Sequence, residues 1–340
     1  MSTTTLQADL SGLSRIPTSP PKITPVPEGV PRPLWSVMIP AYNCISYLQG
    51  TIESVLEQAP DPDLMQIIVV DDCSTDGDVS AMVKKVGRGR VCCFIQGKNV
   101  GSLRNFETCL NLSLGHWVHI LHGDDKVVKG FYQEIETLFR NYTNASAAFT
   151  ESAYIIQSQK GEELHKFPGL APETCILENF LQKTAEGIKL QPPSIVVKRE
   201  VYERLGSFYA VPYGEDWEMW ARIAANYSVA YSPKVLAHYR YIGGASITQH
   251  SIANGQNIRD IIKVIDIIQN YLPLNQRSRL RRKGRFNYAM YCASLANSLL
   301  RTNPAAAIIQ AEGALSMSKD IRVCIALAKF FFRNLLHFPK

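Results

Sequence analysis

The apolar run Ile67-Ile68-Val69-Val70 ends in Asp71-Asp72. Later in the chain a second run, Trp117-Val118-His119-Ile120-Leu121, ends in His122-Gly123-Asp124-Asp125. Short apolar runs bounded by turn residues read as buried strands. In open α/β sheets the ligand crevice lies beyond the carboxyl ends of the strands. Two strands that each deliver paired carboxylates to that edge predict one crevice, able to hold a divalent cation and a polar ligand. Asp favours ordinary turns as well, so either pair alone says little. The two together constrain the fold.

The segments between them alternate strand and helix. A first strand, Leu34 to Ile39, is stopped at Pro40. The helix after it has Ser46 as its expected N-cap and Ile52, Val55 and Leu56 on its inner face. A second strand covers Gln66 to Val70. It is followed by a helix near Val79 to Val86, a third strand at Val91 to Ile95 and a helix at Ser102 to Leu112. The fourth strand, Trp117 to Leu121, leads into a helix at Gly130 to Arg140. This alternation predicts an α/β fold with a mostly parallel sheet and helices on both faces. Further strands are expected at Ala147 to Ile156, Ser194 to Val197, Val229 to Tyr231 and Val235 to Tyr241, with helices at Arg199 to Leu205 and Gly214 to Asn226. From Ile252 the pattern is wholly helical: one buried helix around Ile261 to Ile268, then two or three more. Residues 1–33 carry Pro17, Pro20, Pro21, Pro25, Pro27, Pro31 and Pro33 among Ser and Thr and read as a disordered or extended leader. The expected organisation is that leader, an α/β unit over 34–250 and a basic helical extension over 251–340.

Charge is distributed unevenly. From Tyr271 to Lys340 there are 12 Lys/Arg against 2 Asp/Glu, a balance of +10, which leaves −4 for the rest of a chain of net charge +6. Arg277, Arg279, Arg281, Arg282, Lys283 and Arg285 cluster in this region. The asymmetry points to an anionic surface or partner near the C-terminus. The eight cysteines form no CxxC pair, so a reducing compartment is the simplest expectation. No secretory signal is visible, and no run of about 18 apolar residues predicts a spanning helix.

Three more stretches can carry chemistry. Pro40-Ala41-Tyr42-Asn43 is a tight turn after strand one, a place that faces a nucleotide in α/β folds; a plain strand end reads the same way. Asn99-Val100-Gly101-Ser102-Leu103-Arg104-Asn105 opens a helix, and its backbone N–H groups and Arg104 suit a phosphate or a ribose hydroxyl. Tyr213-Gly214-Glu215-Asp216-Trp217-Glu218-Met219-Trp220 is an acidic helix start whose carboxylates also favour a helix N-terminus electrostatically.

Taken in order, Pro40 to Asn43, Val70 to Gly77, Asn99 to Asn105 and Leu121 to Asp125 resemble the family 2 glycosyltransferases of GT-A fold, a Rossmann-like sheet. The resemblance covers roughly residues 34–245. It implies an inverting transfer of a sugar from a nucleotide diphosphate, UDP or dTDP, to an acceptor hydroxyl, assisted by Mg²⁺ or Mn²⁺. Carried over by position, Pro40, Ala41, Tyr42, Asn43, Asp71, Asp72, Asn99 and Gly101 would line the donor, and Arg104 would lie near its sugar or phosphate. Asp124 would be the last acid of the family's DxD and the metal contact. His122 replaces the first acid, so one carboxylate charge is missing, and the histidine is itself a candidate ligand. Asp216 matches the proposed general base, with Glu215 and Trp217 on the acceptor side. His238 to Thr248 resembles the closing loop. In it Arg240 is a candidate for the diphosphate, Ile242 stands near a position where the family often has histidine, and Gly243-Gly244 would allow a lid.

The acceptor expected by analogy is a glycan or lipid-linked molecule of the cell envelope. The protein would then be cytoplasmic. The basic helices, with the apolar segment Ile321 to His337, either contact the inner face of a membrane peripherally or form a solvated face. Nucleic acid is not expected, since no binding module accompanies the charge. A nucleotidyltransferase would need a Gly-rich phosphate loop after strand one, and a dehydrogenase a GxGxxG; neither is present. A catalytically degenerate nucleotide-sugar- or glycan-binding protein is the alternative, favoured by His122 and Ile242 and opposed by the presence of both Asp124 and Asp216.

Overall fold

The computed structural model describes residues 14–158, 161–241 and 247–337. Strand β1 (Trp35–Ala41) is buried along its whole length. A strand apolar on both faces belongs in the middle of a sheet covered by helices. It pairs in parallel with β2 (Met65–Asp71), which pairs in parallel with β3 (Cys92–Ile95). The connecting helices are α1 (Ile45–Leu56) and α2 (Val79–Val86). Helix α3 (Ser102–Leu112) then carries the chain back to β4 (Trp117–Ile120), on the other side of β1. The order of strands therefore reverses between β1 and β4, and a crevice opens at such a switch point.

Short β5 (Lys126–Val127) and α4 (Phe131–Asn141) lead to the long strand β6 (Ala145–Ser158). Then come β7 (Gly161–Lys166), β8 (Cys175–Ile176) and α5 (Phe180–Ala185). A 3-10 turn at Pro192–Ser194 precedes β9 (Ile195–Lys198), α6 (Arg199–Leu205), α7 (Glu215–Asn226) and β10 (Ser228–Tyr241). The main strand order is β3-β2-β1-β4-β9-β6-β10-β5. Because β9 is antiparallel to both β4 and β6, while β6 and β10 are parallel, six strands (β1, β2, β3, β4, β6 and β10) share one direction. The sheet is mostly parallel, as expected. Where two strands were expected near the end of this unit, the single strand β10 runs through register shifts between Ser232 and Ala237; such bulges break the alternation without ending the strand.

One apolar cluster lies under α1, α2 and α4, and a second, on the opposite face, under α3, α6 and α7. Beyond α7 stand α8 (Ile247–Asn254), α9 (Gln256–Ile268), α10 (Leu274–Leu299), α11 (Pro304–Met317) and α12 (Ile321–His337), packed around a third cluster. Helix α7 is shared: Met219, Trp220 and Ile223 enter the sheet core, while Trp217 and Ala221 enter the helical one. A helix gripped on two sides holds its N-terminal residues rigidly.

Of the two forms expected for the leader, its described part, residues 14–33, takes the extended one as an ordered arm; the expected start of the first helix is corrected. Ile23 is buried, the carbonyls of Pro17 and Pro21 accept from the N–H groups of Ala210 (2.9 Å) and Ser207 (2.8 Å), and the Thr24 carbonyl accepts from Arg199 Nη2 at 3.0 Å. Proline removes a donor and keeps an acceptor, so an extended proline-rich segment can still dock through its carbonyls. Helix α1 begins at Ile45, not after Ser46, because its cap is tertiary: the Ile45 N–H donates to Asp76 Oδ2 at 2.9 Å.

Candidate active site

Register brings the predicted motifs to one edge. Ala41 lies level with Asp71, and Asp71 with Ile95, so β1, β2 and β3 end together. The Gly123 N–H donates to the Pro40 carbonyl at 3.0 Å, which sets the second acidic turn beside the first. Glycine is needed at 123, since a Cβ there would stand 2.7 Å from Cys44 Sγ. Thr51 on α1 pins the same turn by donating to the carbonyls of Gly123 (3.0 Å) and Asp125 (2.7 Å).

The first acidic turn is internally tied. Asp71 accepts from the Ser74 N–H and hydroxyl. Asn43, at φ 49°, accepts from the Thr75 N–H at 2.7 Å, and its own N–H donates to Ser74 Oγ at 2.9 Å. Asp72 accepts from the N–H groups of Val100 (2.7 Å) and Gly101 (2.9 Å) and from Asn99 Nδ2 (3.0 Å). Pro40 and Ala41 are buried at the strand end, whereas Tyr42 is half exposed. Arg104 is close by, but its Nη1 pairs with Glu107 at 2.6 Å and its Nε donates to the Ser14 carbonyl of the arm at 2.9 Å. Its side chain thus braces the crevice wall rather than pointing freely into it.

In the second turn, ligand atoms of His122, Asp124 and Asp125 lie within 4.8 Å of one another. His122 stacks on Phe106, with centroids 5.3 Å apart, and burial lowers its pKa to about 4. The imidazole is therefore neutral, the form that binds metal. Burial raises Asp124, and the Arg240 guanidinium pulls it back. Asp125 is raised well above the usual carboxylate range by burial and then by the Asp124 charge. Its Oδ1 accepts from the Arg240 N–H at 2.8 Å, but its buried Oδ2 has no hydrogen-bond partner among the described residues. A buried carboxylate with an orphaned oxygen beside a half-buried one is an arrangement that a divalent cation would complete. Carboxylate oxygens suit Mg²⁺, and the imidazole adds a ligand that Mn²⁺ accepts. The paired aspartates of this turn are visible in the sequence, but the resemblance gives a role to Asp124 alone and none to Asp125.

Arg240 joins the same cluster through its backbone N–H and its side chain. Nε donates to the Asp124 carbonyl at 3.0 Å, Nη1 pairs with Glu162 at 2.6 Å, and the guanidinium lies 4.6 Å from the Tyr47 ring centroid. The next residues, 242–246, which include Ile242 and the Gly243-Gly244 pair, lie outside the described residues, as do residues 1–13 of the leader.

Helix α7 delivers the remaining acids. Glu215 and Asp216 line one small cavity together with His122, Phe106, Phe208 and Trp220. Asp216 Oδ1 accepts from the Trp217 N–H at 2.7 Å, and burial raises its pKa to about 6. Glu215 is raised well above its usual range by burial and then by the Asp216 charge. The two carboxyls oppose each other's ionisation, an arrangement in which neighbouring carboxylates can divide acid and base roles. Trp217 does not fit the acceptor side. It is 2% exposed, lies in the helical core and donates Nε1–H to the Thr184 carbonyl at 2.6 Å. Burying a large ring outweighs displaying it when a second layer of helices covers that face.

A group of tyrosines surrounds these acids and was not visible in the sequence. Tyr154 and Tyr239 lie 5.2 Å apart, Gln191 Nε2 donates to Tyr154 Oη at 2.8 Å, and Tyr288 on α10 donates to Tyr213 Oη at 3.3 Å. Tyr239 is raised well above its usual range by burial and the nearby Asp125 charge, so its hydroxyl stays protonated. These residues come from separate elements and share no spacing.

Residues 36–205 match the family model described as glycosyl transferase family 2. The chain is 28% identical over 217 residues to the putative teichuronic acid biosynthesis glycosyltransferase TuaG of Bacillus subtilis, covering 63% of this chain and 81% of that one. It is 30% identical over 117 residues to the Escherichia coli protein WfaP, a UDP-Glc:alpha-D-GlcNAc-diphosphoundecaprenol beta-1,3-glucosyltransferase, covering 33% and 45%. Among solved structures, S. aureus TarS 1–349 in complex with UDP-GlcNAc matches with a TM-score of 0.64 at 15% identity, over 87% of this chain and 88% of that one. That likeness shows a shared fold, with its mostly parallel sheet and C-terminal helices.

Proposed function

The chain belongs to glycosyl transferase family 2 and is a glycosyltransferase, and from that premise we propose an inverting transfer from a UDP- or dTDP-sugar to a hydroxyl of a cell-envelope glycan or its lipid-linked precursor. One observation carries the mechanism: Asp216, with a pKa near 6, lines the same cavity as His122 of the acidic turn. An acceptor hydroxyl is a poor nucleophile until a positioned base takes its proton, and a base serves best with a pKa near the working pH. Asp216 accepts that proton as the acceptor oxygen attacks the anomeric carbon from the side opposite the diphosphate, which inverts the centre. Glu215, holding its own proton, keeps the pair from carrying two charges. The donor's diphosphate faces Asp124, and Arg240 holds the Asp124 turn through the carbonyl contact at 3.0 Å. His122, Asp124 and Asp125 would hold Mg²⁺ or Mn²⁺, which when bound offsets charge on the departing diphosphate.

The cell-envelope acceptor is supported by the names of the relatives, TuaG and WfaP. The donor reading is supported by the fold shared with a UDP-GlcNAc complex. A peripheral place at the inner face of the membrane is supported by α12, where Ile321, Ile325 and Phe332 are exposed along one stripe, and by exposed Arg279, Arg282 and Lys283 on α10. Among the described residues no helix is long and apolar enough to cross a membrane.

The reading is tested by the pH dependence of turnover, followed as nucleoside diphosphate release with Mn²⁺ present. The working form has Asp216 ionised, and its folded pKa is raised. The rate should therefore fall tenfold per pH unit once pH drops below about 6, and Asp216→Asn should remove that limb. A profile flat from pH 5 to 8 at about the wild-type rate would contradict base catalysis by Asp216.

A further inference from the structure

The arm ahead of β1 reaches the crevice itself. Arg15 Nη2 donates to Asn99 Oδ1, while Asn99 Nδ2 donates to Asp72 Oδ2 at 3.0 Å. Arg15, Asn99 and Asp72 thus form one connected chain at the ends of β2 and β3. The guanidinium lies over Gly101: a Cβ there would stand 3.1 Å from Arg15 Nε and 3.4 Å from Nη2. Glycine at 101, with φ +88°, leaves the space that the arginine fills. The neighbouring Ser14 carbonyl takes the Nε–H of Arg104, so the arm occupies one arginine and supplies another. Beyond this point the arm is fastened through Pro17, Pro21 and Thr24, which fixes where Arg15 can stand. Arg15 itself is exposed, with N–H groups to spare for a ligand. It also lies outside residues 36–205, the segment matched by the family model.

Strand order says which part of a donor would meet it. The sequence β3-β2-β1-β4 puts Asp72 at the end of β2 and the Asp124 turn after β4, with β1 between them. At the usual strand spacing those ends are about 10 Å apart, room for a diphosphate between a metal-side anchor and a nucleoside. We propose that Arg15 is a donor-recognition residue that closes the nucleoside end of the crevice and donates hydrogen bonds to oxygens of the base or ribose. Such oxygens are acceptors, and a guanidinium is a donor only. The proposal rests on the reading of the crevice as a nucleotide-sugar site.

The test is calorimetric titration of the full chain with UDP and, separately, with inorganic pyrophosphate, both with Mn²⁺. Wild type, Arg15→Ala and Asp124→Asn are compared, and thermal midpoints confirm folding. Loss of a hydrogen bond from a charged donor should weaken UDP binding by Arg15→Ala about tenfold or more and leave pyrophosphate binding within about twofold, while Asp124→Asn weakens both. UDP binding by Arg15→Ala that is unchanged or tighter would overturn the proposal, the tighter result showing an arm that competes with the donor. Equal losses for UDP and pyrophosphate would overturn it too, because the contact would not be to the nucleoside. Wild-type affinity for both probes in Asp124→Asn would instead bring down the donor-site reading itself.

Discussion

Asp216→Asn is expected to lower kcat by about 10²–10⁴-fold, the usual worth of a positioned general base, while leaving the donor Kd within about twofold. The amide has the shape of the carboxylate, and its oxygen can still accept the Trp217 N–H that Asp216 accepts at 2.7 Å. What it lacks is basicity. Helix α7 is packed on both sides, by Met219 and Trp220 towards the sheet and by Trp217 towards the C-terminal helices, so the site should keep its geometry. Asp216→Asn removes the charge that helps hold the proton on Glu215, so Glu215 ionises more readily in the variant; what keeps it from taking over is position, since the acceptor is placed against residue 216. The comparison is kcat at saturating donor beside a binding isotherm for UDP. Loss of donor binding without a specific loss of turnover would remove Asp216 from the role of base.

Asp124→Asn should act differently. It removes one of two neighbouring carboxylates whose charges oppose each other, and with it the charge that would hold a cation against the diphosphate. Lewis-acid assistance contributes several kcal/mol, so kcat/KM should fall about 10²-fold or more, and donor binding should lose its dependence on Mn²⁺ or Mg²⁺. Asp125 would also be left with less opposition to its ionisation, so the folded variant should be at least as stable as wild type without metal. EDTA should bring the wild type down to the level of the variant and scarcely change the variant further. A variant that keeps full cation-dependent turnover would contradict the placement of the metal.

The sheet was readable because β1 and β2 are almost uninterrupted apolar runs and because α2 carries its cap locally, Asp78 accepting from the Ala81 N–H. The crevice was readable for the same reason: acids placed directly after strands must lie at one edge. What escaped was whatever depends on distant residues. The cap of α1 is Asp76, which arrives from the turn after β2. The arm has the composition of a disordered segment, yet Ile23 and a set of proline carbonyls fasten it, and neither makes a periodic pattern. Trp217 was expected on the acceptor side; a helix lying between two cores sends it into the helical one and Trp220 into the other. The tyrosines around Asp216 come from β6, β10, α10 and the loop before α7, and only the folded chain assembles them. Composition gave no hint that Arg15 would meet Asn99.

The central claim is a cation-assisted nucleotide-sugar site, and the most direct measurement is the thermal midpoint of the full chain with UDP-, dTDP- and GDP-sugars, each with Mn²⁺, Mg²⁺ or EDTA. A ligand that binds only the folded state raises the midpoint in proportion to its binding free energy. A rise with a UDP- or dTDP-sugar that disappears in EDTA is the result expected from His122, Asp124 and Asp125 standing together. A rise that is the same in EDTA, or no rise with any donor, would contradict a cation-assisted donor site in this chain.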